Sequence, residues 1–400
     1  MNTRLMLVAG ARPNYMKIAP IYWAVREQGA DAFLVEVVHT GQHYDADMSG
    51  NFFRDLGLPE PTINLGVGSG SHAAQTAKVM TAFEAVVLQR RPDVVVVVGD
   101  VNSTLACALV TSKIAYDGRD RSARPLLAHV EAGLRSRDRS MPEEINRIVT
   151  DALSDVLFTT CRDGDENLRA EGVATQHIHF VGNTMIDSLR RCLPLVRHAG
   201  FLDQLGLKRQ RFGLCTLHRP SNVDDPRIFE DLLGTLAEVA SDVPVLMPLH
   251  PRTRQRIEQF GFGDRVVAPG RSARLAPRRG LIGLAPFAYP EMLQTLDAAQ
   301  FVFTDSGGVQ EEATALGVAC VTLRENTERP VTIREGTNVL SGRSRQAILD
   351  GLQAARRKAG GISRGPELWD GRAGERIVQT LLALPSVEQA NARSAERYCS

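Results

Sequence analysis

The stretch Asp93–Thr104, DVVVVVGDVNST, runs five valines into Gly-Asp and then into a helical pattern. A strand this uniformly apolar must be buried on both faces, which is the signature of a parallel sheet covered by helices. The same strand-then-helix grammar recurs on either side of it. RLMLVAG (4–10), FLVEVVH (33–39), LLAHVEAG (126–133) and DVLFTT (155–160) read as strands, with helical segments over 16–28, 72–90, 102–116 and 143–154. The pattern then restarts with FGLCTLH (212–218), PVLMPLH (244–250), FVFTD (301–305) and VACVTL (318–323). Two successive doubly wound α/β units follow, each Rossmann-like. The expected division is 1–185, 186–372, and a C-terminal helix with a polar tail over 373–400 that packs back on the first unit. Ligands of open α/β sheets bind at the carboxyl ends of strands. Arg12, His39, Asp100, Glu131, His218, His250 and Asp305 all fall at such ends. If the two sheets turn these ends toward each other, the site is a central cleft.

Bulk composition narrows the function classes. Four hundred residues exceed what one core usually organises, and 43% hydrophobic with 23% charged residues is the mix of an ordinary globular protein. A formal net charge of +1 offers no field for nucleic acid or an anionic membrane. No apolar run approaches the 18 or so residues of a membrane span, and the N-terminus lacks a signal-peptide pattern, so a cytoplasmic protein is expected. The six cysteines (107, 161, 192, 215, 320 and 399) show no CxxC or CxxH spacing, which signals neither a zinc site nor a disulfide framework.

The motifs that carry chemistry cluster at these strand ends. VAGARPNYMK places Gly10, Arg12 and Lys17 in the first strand-to-helix turn, where free N–H groups and cations favour an anion; a plain surface arginine is an equal reading. Asp100 ends the valine strand, either as a helix cap or as a carboxylate whose pKa burial raises toward that of a general base. HVEAGLRSRDRSMPEEINR crowds nine charged or titratable side chains into 19 positions. Glu143 and Glu144 follow Pro142 and suit the first turn of a helix, but capping does not account for Glu131. In the second unit, His218 and His250 sit at corresponding strand ends. TDSGGVQEEA (304–313) puts Ser306, Gly307 and Gly308 at a helix start, where N–H groups can face a diphosphate, with Asp305 as a turn cap. Glu312 lies one turn on, placed to accept both hydroxyls of a ribose.

Taken together, GARPNYMKIAP, TGQHYDADM, GDVNSTLA, HVEAGLRS, PEEINR, GNTMIDSL, TLHRPSNVD, PLHPRTR, TDSGGVQEEA and RENTERPVTIREGTNVL resemble the non-hydrolysing UDP-N-acetylglucosamine 2-epimerases. The resemblance runs from residue 9 to about 340 in family order. It implies a glycosyltransferase-B-like fold and inversion at C2 of a UDP-sugar through elimination and re-addition of UDP. No metal, NAD or redox cofactor follows from it. By motif position, Asp100, Glu131 and Glu143 would be the catalytic carboxylates, with His218 beside them. Arg12, Lys17, Arg147, His250, Met292, Ser306, Gly307, Gly308 and Arg329 would contact the UDP-sugar, and Glu312 its ribose. A homodimer is also what the family suggests.

Two segments depart from the pattern. Gln42 and His43 match a second, activating UDP-sugar site of some bacterial relatives, yet NLGVGSGSHAAQ (64–75) lacks the arginine that completes it, which argues against activation. APGRSARLAPRRGLIG (268–283) is long and carries Arg271, Arg274, Arg278 and Arg279. A surface loop is the plain reading; a contact to extra negative charge on the sugar, such as a uronate, is the other.

Overall fold

The computed structural model describes residues 2–28, 30–42, 57–116, 124–267, 275, 279–361 and 365–384. The chain divides into two compact units, Met1–Ser188 together with Glu367–Ser400, and Leu189–Pro366.

In the first unit the strands are β1 (Thr3–Ala9), β2 (Phe33–His39), β3 (Ile63–Asn64), β4 (Val94–Val98), β5 (Leu126–Ala132), β6 (Val156–Thr159) and β7 (Ile178–Phe180). They form one parallel sheet in the order β3-β2-β1-β4-β5-β6-β7. The five valines of β4 are at most 4% exposed because both faces are covered. Val95 and Val97 pack with Val79, Phe83 and Val87 of the helix His72–Arg90 and with Ala106 and Val110 of the helix Asn102–Lys113. Each fully buried valine contributes about 1.5 kcal/mol or more, so the run alone dictates the sheet centre.

The second unit holds β8 (Gly213–Thr216), β9 (Val245–Pro248), β10 (Leu281–Leu284), β11 (Phe301–Thr304), β12 (Ala319–Thr322) and β13 (Asn338–Leu340), ordered β10-β9-β8-β11-β12-β13 and also parallel. Side chains alternate across the sheet: Phe301 and Phe303 enter one apolar cluster and Val302 the other, as the period of two requires.

Strand order reverses direction between β1 and β4 in one unit and between β8 and β11 in the other. These are the two switch points, and ligands of open α/β sheets bind beyond the carboxyl ends of the strands at such points. Asp100 follows β4; His218 follows β8 and Ser306 follows β11. Four short strands not legible in the sequence (β3, β7, β10 and β13) close the ends of the two sheets. The C-terminal helix Ala373–Ala383 contacts the helix Arg12–Gln28 within the first unit. It is tied down by Asp187, whose Oδ2 accepts from Gly374 N–H at 2.8 Å, and by Trp369, whose indole donates to the Thr160 carbonyl at 2.9 Å. Burial pushes the Asp187 carboxyl up to about 6.

Candidate active site

The first unit brings its charged residues together through one bend. Register between β5 and β6 shifts across Val130 and Ala132, and Glu131 at this bulge adopts φ +74°. A non-glycine residue held there costs on the order of 1–3 kcal/mol and persists only where its surroundings fix it. Lys17 supplies that restraint through a buried ion pair to Glu131. Gly99 makes room: a Cβ on it would come 2.7 Å from Lys17 Nζ and 3.2 Å from Glu131 Oε2, and its φ is +66°. The preceding turn is set by Asn14, whose Oδ1 accepts from Gly10 N–H at 3.0 Å and Ala11 N–H at 2.9 Å. Arg12 opens the helix Arg12–Gln28.

Asp100 does not cap the next helix. Its N-cap is Val101, with no side-chain cap, and the Asp100 carboxylate instead pairs with Arg147. Arg147 is 2% exposed and also bonds Glu144, with Nη2 to Oε2 at 2.7 Å. Glu144 further accepts the backbone N–H groups of Ser136 and Arg137, each at 2.9 Å. Burial opposes its charge, but these donors outweigh it and hold its carboxyl below the ordinary range. The acidic pair read as capping is therefore split: Glu144 braces the turn before its helix, and Glu143 stays half-buried beside it.

Behind this layer lies a second. His129 Nε2 donates to the Gly99 carbonyl at 2.9 Å and Nδ1 faces Asp151 Oδ1 at 2.6 Å. Asp151 also holds Gly133 N–H at 3.0 Å and Arg135 at 2.7 Å. Despite full burial, His129 and Arg135 keep the Asp151 carboxyl below its usual value. Asp151 was not legible as a site residue, although a signal existed. Glu144, Arg147 and Asp151 follow one another at spacings of three and four, on one helical face.

In the second unit, Asp305 is fully buried and organises β8 and β11. It is not a cap of the following helix, whose N-cap Ser306 has no side-chain cap bond. Its Oδ2 accepts from His218 N–H (3.0 Å), Arg219 N–H (2.9 Å) and Asn222 Nδ2 (3.1 Å), and its Oδ1 lies 2.7 Å from His218 Nδ1. Burial pushes the carboxyl up, and His218 with these backbone donors overcomes it, so the group stays below the ordinary carboxylate range. The His250 ring lies 5.5 Å from that of His218, and its Nδ1 accepts from Arg252 N–H, capping the helix Pro251–Phe260.

The helix Gly307–Leu316 begins immediately after Ser306. Arg329 packs against Gly307 and pairs with Glu311 at 3.0 Å and with Glu328, which in turn holds Arg324 at 2.8 Å. Glu312 is buried one turn into the helix, where desolvation pushes its carboxyl up to about 7; Tyr289 donates to it at 3.1 Å. Met292 is half-buried on the helix Tyr289–Ala298, against the apolar cluster beneath. Gln42 is buried and accepts from Ser103 Oγ at 2.7 Å. His43, Arg271, Arg274 and Arg278 lie outside the described residues; Arg279 is exposed and donates to the Ser241 carbonyl at 3.2 Å. Among the described residues no helix is long and apolar enough to cross a membrane.

Two parallel α/β units, with acids at the strand ends of one and a histidine and a glycine-led helix at those of the other, match the glycosyltransferase-B-like class of enzyme that the resemblance implies. A sequence model of the family described as UDP-N-acetylglucosamine 2-epimerase matches residues 26–382. The chain is 37% identical over 384 residues to the UDP-N-acetylglucosamine 2-epimerase of Methanocaldococcus jannaschii, covering 94% of this chain and 98% of that one. It is 38% identical over 386 residues to the UDP-2,3-diacetamido-2,3-dideoxy-D-glucuronate 2-epimerase of Pseudomonas aeruginosa, covering 95% and 100%. The crystal structure of the M. jannaschii enzyme in complex with UDP-GlcNAc and UDP superposes with a TM-score of 0.82 at 36% identity, over 95% of this chain and 99% of that one. The chain belongs to the UDP-N-acetylglucosamine 2-epimerase family.

Proposed function

We propose that this protein interconverts UDP-GlcNAc and UDP-ManNAc without hydrolysis, as a homodimer in the cytoplasm. The observation that carries the reading is the layout of the first unit, where Asp100 just beyond β4 and Glu131 near the end of the neighbouring β5 are each held by a buried cation of their own, Arg147 and Lys17. H2 of the sugar has no adjacent carbonyl to acidify it, so the C1–O bond breaks first and its electron pair leaves with UDP. The positive charge that develops at C1 is stabilised by nearby carboxylates. Loss of H2 to a carboxylate then gives the 2-acetamidoglucal. Return of a proton to the other face of C2, with UDP re-adding at C1, completes the inversion. Two faces need more than one acid/base, and Asp100, Glu131 and Glu143 supply them. In the second unit His218 assists departure of the diphosphate. The N–H groups of Gly307 and Gly308 hold it together with Ser306 and Arg329, and Arg12 and Lys17 add positive charge from the first unit. Arg147 acts by fixing Asp100 rather than by touching substrate. Met292 and His250 border the nucleotide, and Glu312 accepts the ribose hydroxyls.

The test is incubation with UDP-GlcNAc in deuterated water, followed by NMR. UDP-ManNAc carrying deuterium at C2, with UDP retained in both sugars, is expected. Free ManNAc with released UDP would establish a hydrolysing enzyme instead. The likeness to the P. aeruginosa enzyme favours a second reading in which the sugar is a 2,3-diacetamido uronate. A kcat/KM higher for that substrate than for UDP-GlcNAc would select it.

Glu312 makes a pH prediction. With its carboxyl at about 7 in the free protein, the carboxylate that accepts two hydroxyls forms only as pH rises through that value. UDP affinity should therefore increase from pH 6 to pH 8 by about tenfold. In Glu312→Gln, only the smaller pH dependence of the UDP phosphate itself should remain. Calorimetric titrations of both proteins at the two pH values check this; identical pH dependence would remove Glu312 from the ribose.

A further inference from the structure

We infer that Asp305 is the positioning residue of His218, holding a proton on Nδ1 so that Nε2 is the nitrogen that exchanges one. The two oxygens of Asp305 have different work. Oδ2 is saturated by three donors, the N–H groups of His218 and Arg219 and the Nδ2 of Asn222. Oδ1 has the His218 ring at 2.7 Å and only a longer contact, 3.2 Å, to the His218 N–H. Asp305 is fully buried and remains a carboxylate, so it can only accept. His218 Nδ1 must therefore donate, which leaves Nε2 as the other ring nitrogen of a side chain that is 38% exposed. His250, alongside, has the opposite arrangement, since its Nδ1 accepts from Arg252 N–H and a neutral ring then carries its proton on Nε2.

The unequal oxygens also say what a conservative change does. In Asp305→Asn the remaining oxygen must take the Oδ2 place, because three donors point there. The new NH2 then falls at Oδ1, facing His218 Nδ1, and turns that nitrogen from donor to acceptor. The backbone cage survives while the tautomer inverts. The same exchange beside the histidine of a hydrolase triad leaves geometry intact and costs about 10⁴ in turnover.

The experiment uses full-length protein with 15N-labelled histidine, with the His218 ring signals assigned by comparison with His218→Gln. Two-bond 15N–1H correlations of the neutral ring are expected to show Nδ1–H in the native protein and Nε2–H in Asp305→Asn. The variant should lose about 10²–10⁴-fold in kcat on UDP-GlcNAc, the range of one acid/base group, with KM within about threefold because the groups holding UDP are undisturbed. An Nε2–H tautomer in the native protein, or an Asp305→Asn enzyme with native kcat, overturns the inference. If the variant does not fold, the native spectrum alone decides. The turnover arm rests on the epimerase reading, whereas the tautomer arm does not. A native protein with Nδ1–H but no C2 exchange on any UDP-sugar would therefore fail the function while upholding the dyad.

Discussion

Glu131→Gln is expected to lower turnover of UDP-GlcNAc by about 10³-fold or more, the upper part of the range for removing one positioned acid/base. The substitution is isosteric, so the bulge at φ +74° and the shape of the strand end are kept. What is lost is the ability to take a proton and a negative charge near the developing cation at C1. There is a competing cost. Lys17 loses its buried counter-ion, and breaking one side of a buried pair typically destabilises by about 3–5 kcal/mol. The thermal midpoint should therefore fall as well, and that fall must be kept apart from the chemical effect. Assay well below the variant's own midpoint separates them, as does Lys17→Met with Glu131→Gln, which removes the orphaned charge and should recover stability without recovering turnover. Calorimetry with UDP should give a Kd within about threefold of native for Glu131→Gln, since one tenfold step is only 1.4 kcal/mol and no diphosphate contact is assigned to this side chain. Turnover within tenfold of native, or loss of UDP affinity in step with loss of turnover, would show that Glu131 binds rather than reacts.

How much of this was legible beforehand follows from physical chemistry. Central strands such as β4 and β11 announce themselves because burial on both faces demands unbroken apolar runs. β3, β7, β10 and β13, at two to four residues each, end their sheets and include residues such as Asn64, His179, Gly283 and Asn338, so no run stands out. Arg12, Asp100, His218 and Asp305 fell at strand ends that flank the two switch points, and His39, Glu131 and His250 at the ends of the next strands outward. The partners did not show. Asp305 read as a turn cap, because local sequence offers a cap only its own following helix. Its real donors come from residues 218–222, more than 80 positions away. The left-handed backbone of Glu131 was equally invisible, since nothing in HVEAG distinguishes a bulge from a regular strand ending in glycine. Arg147, expected at substrate, is also paired with Asp100, a partner that only the approach of the helix Pro142–Leu153 to the end of β4 creates, whereas its bond to Glu144 is local, three residues back on the same helix.

Gly307→Ala tests the other unit, and its expected result is a loss of UDP affinity of about 10²-fold or more, close to 3 kcal/mol. A Cβ at position 307 would lie 2.3 Å from Arg329 Nη1, 2.6 Å from its Cζ and 2.8 Å from Glu328 Oε1. An exposed arginine would swing aside at little cost. This one cannot, because Glu311 and Glu328 grip it and Glu328 is itself held by Arg324. The methyl group therefore displaces a buried charge cluster, and it does so at the first residue of the helix whose N–H groups are assigned to the diphosphate. Gly317 provides the contrast. It ends the same helix at φ +71° with nothing within 4 Å of its Cβ position. Gly317→Ala should cost about 1 kcal/mol of stability through backbone strain alone and leave UDP affinity native. The pair separates crowding at the ligand from strain in the scaffold, with thermal unfolding reading one and calorimetry the other. A Gly307→Ala protein that binds UDP within threefold of native would mean that the diphosphate does not rest on this helix start, and the assignment of Ser306, Gly308 and Arg329 would fall with it.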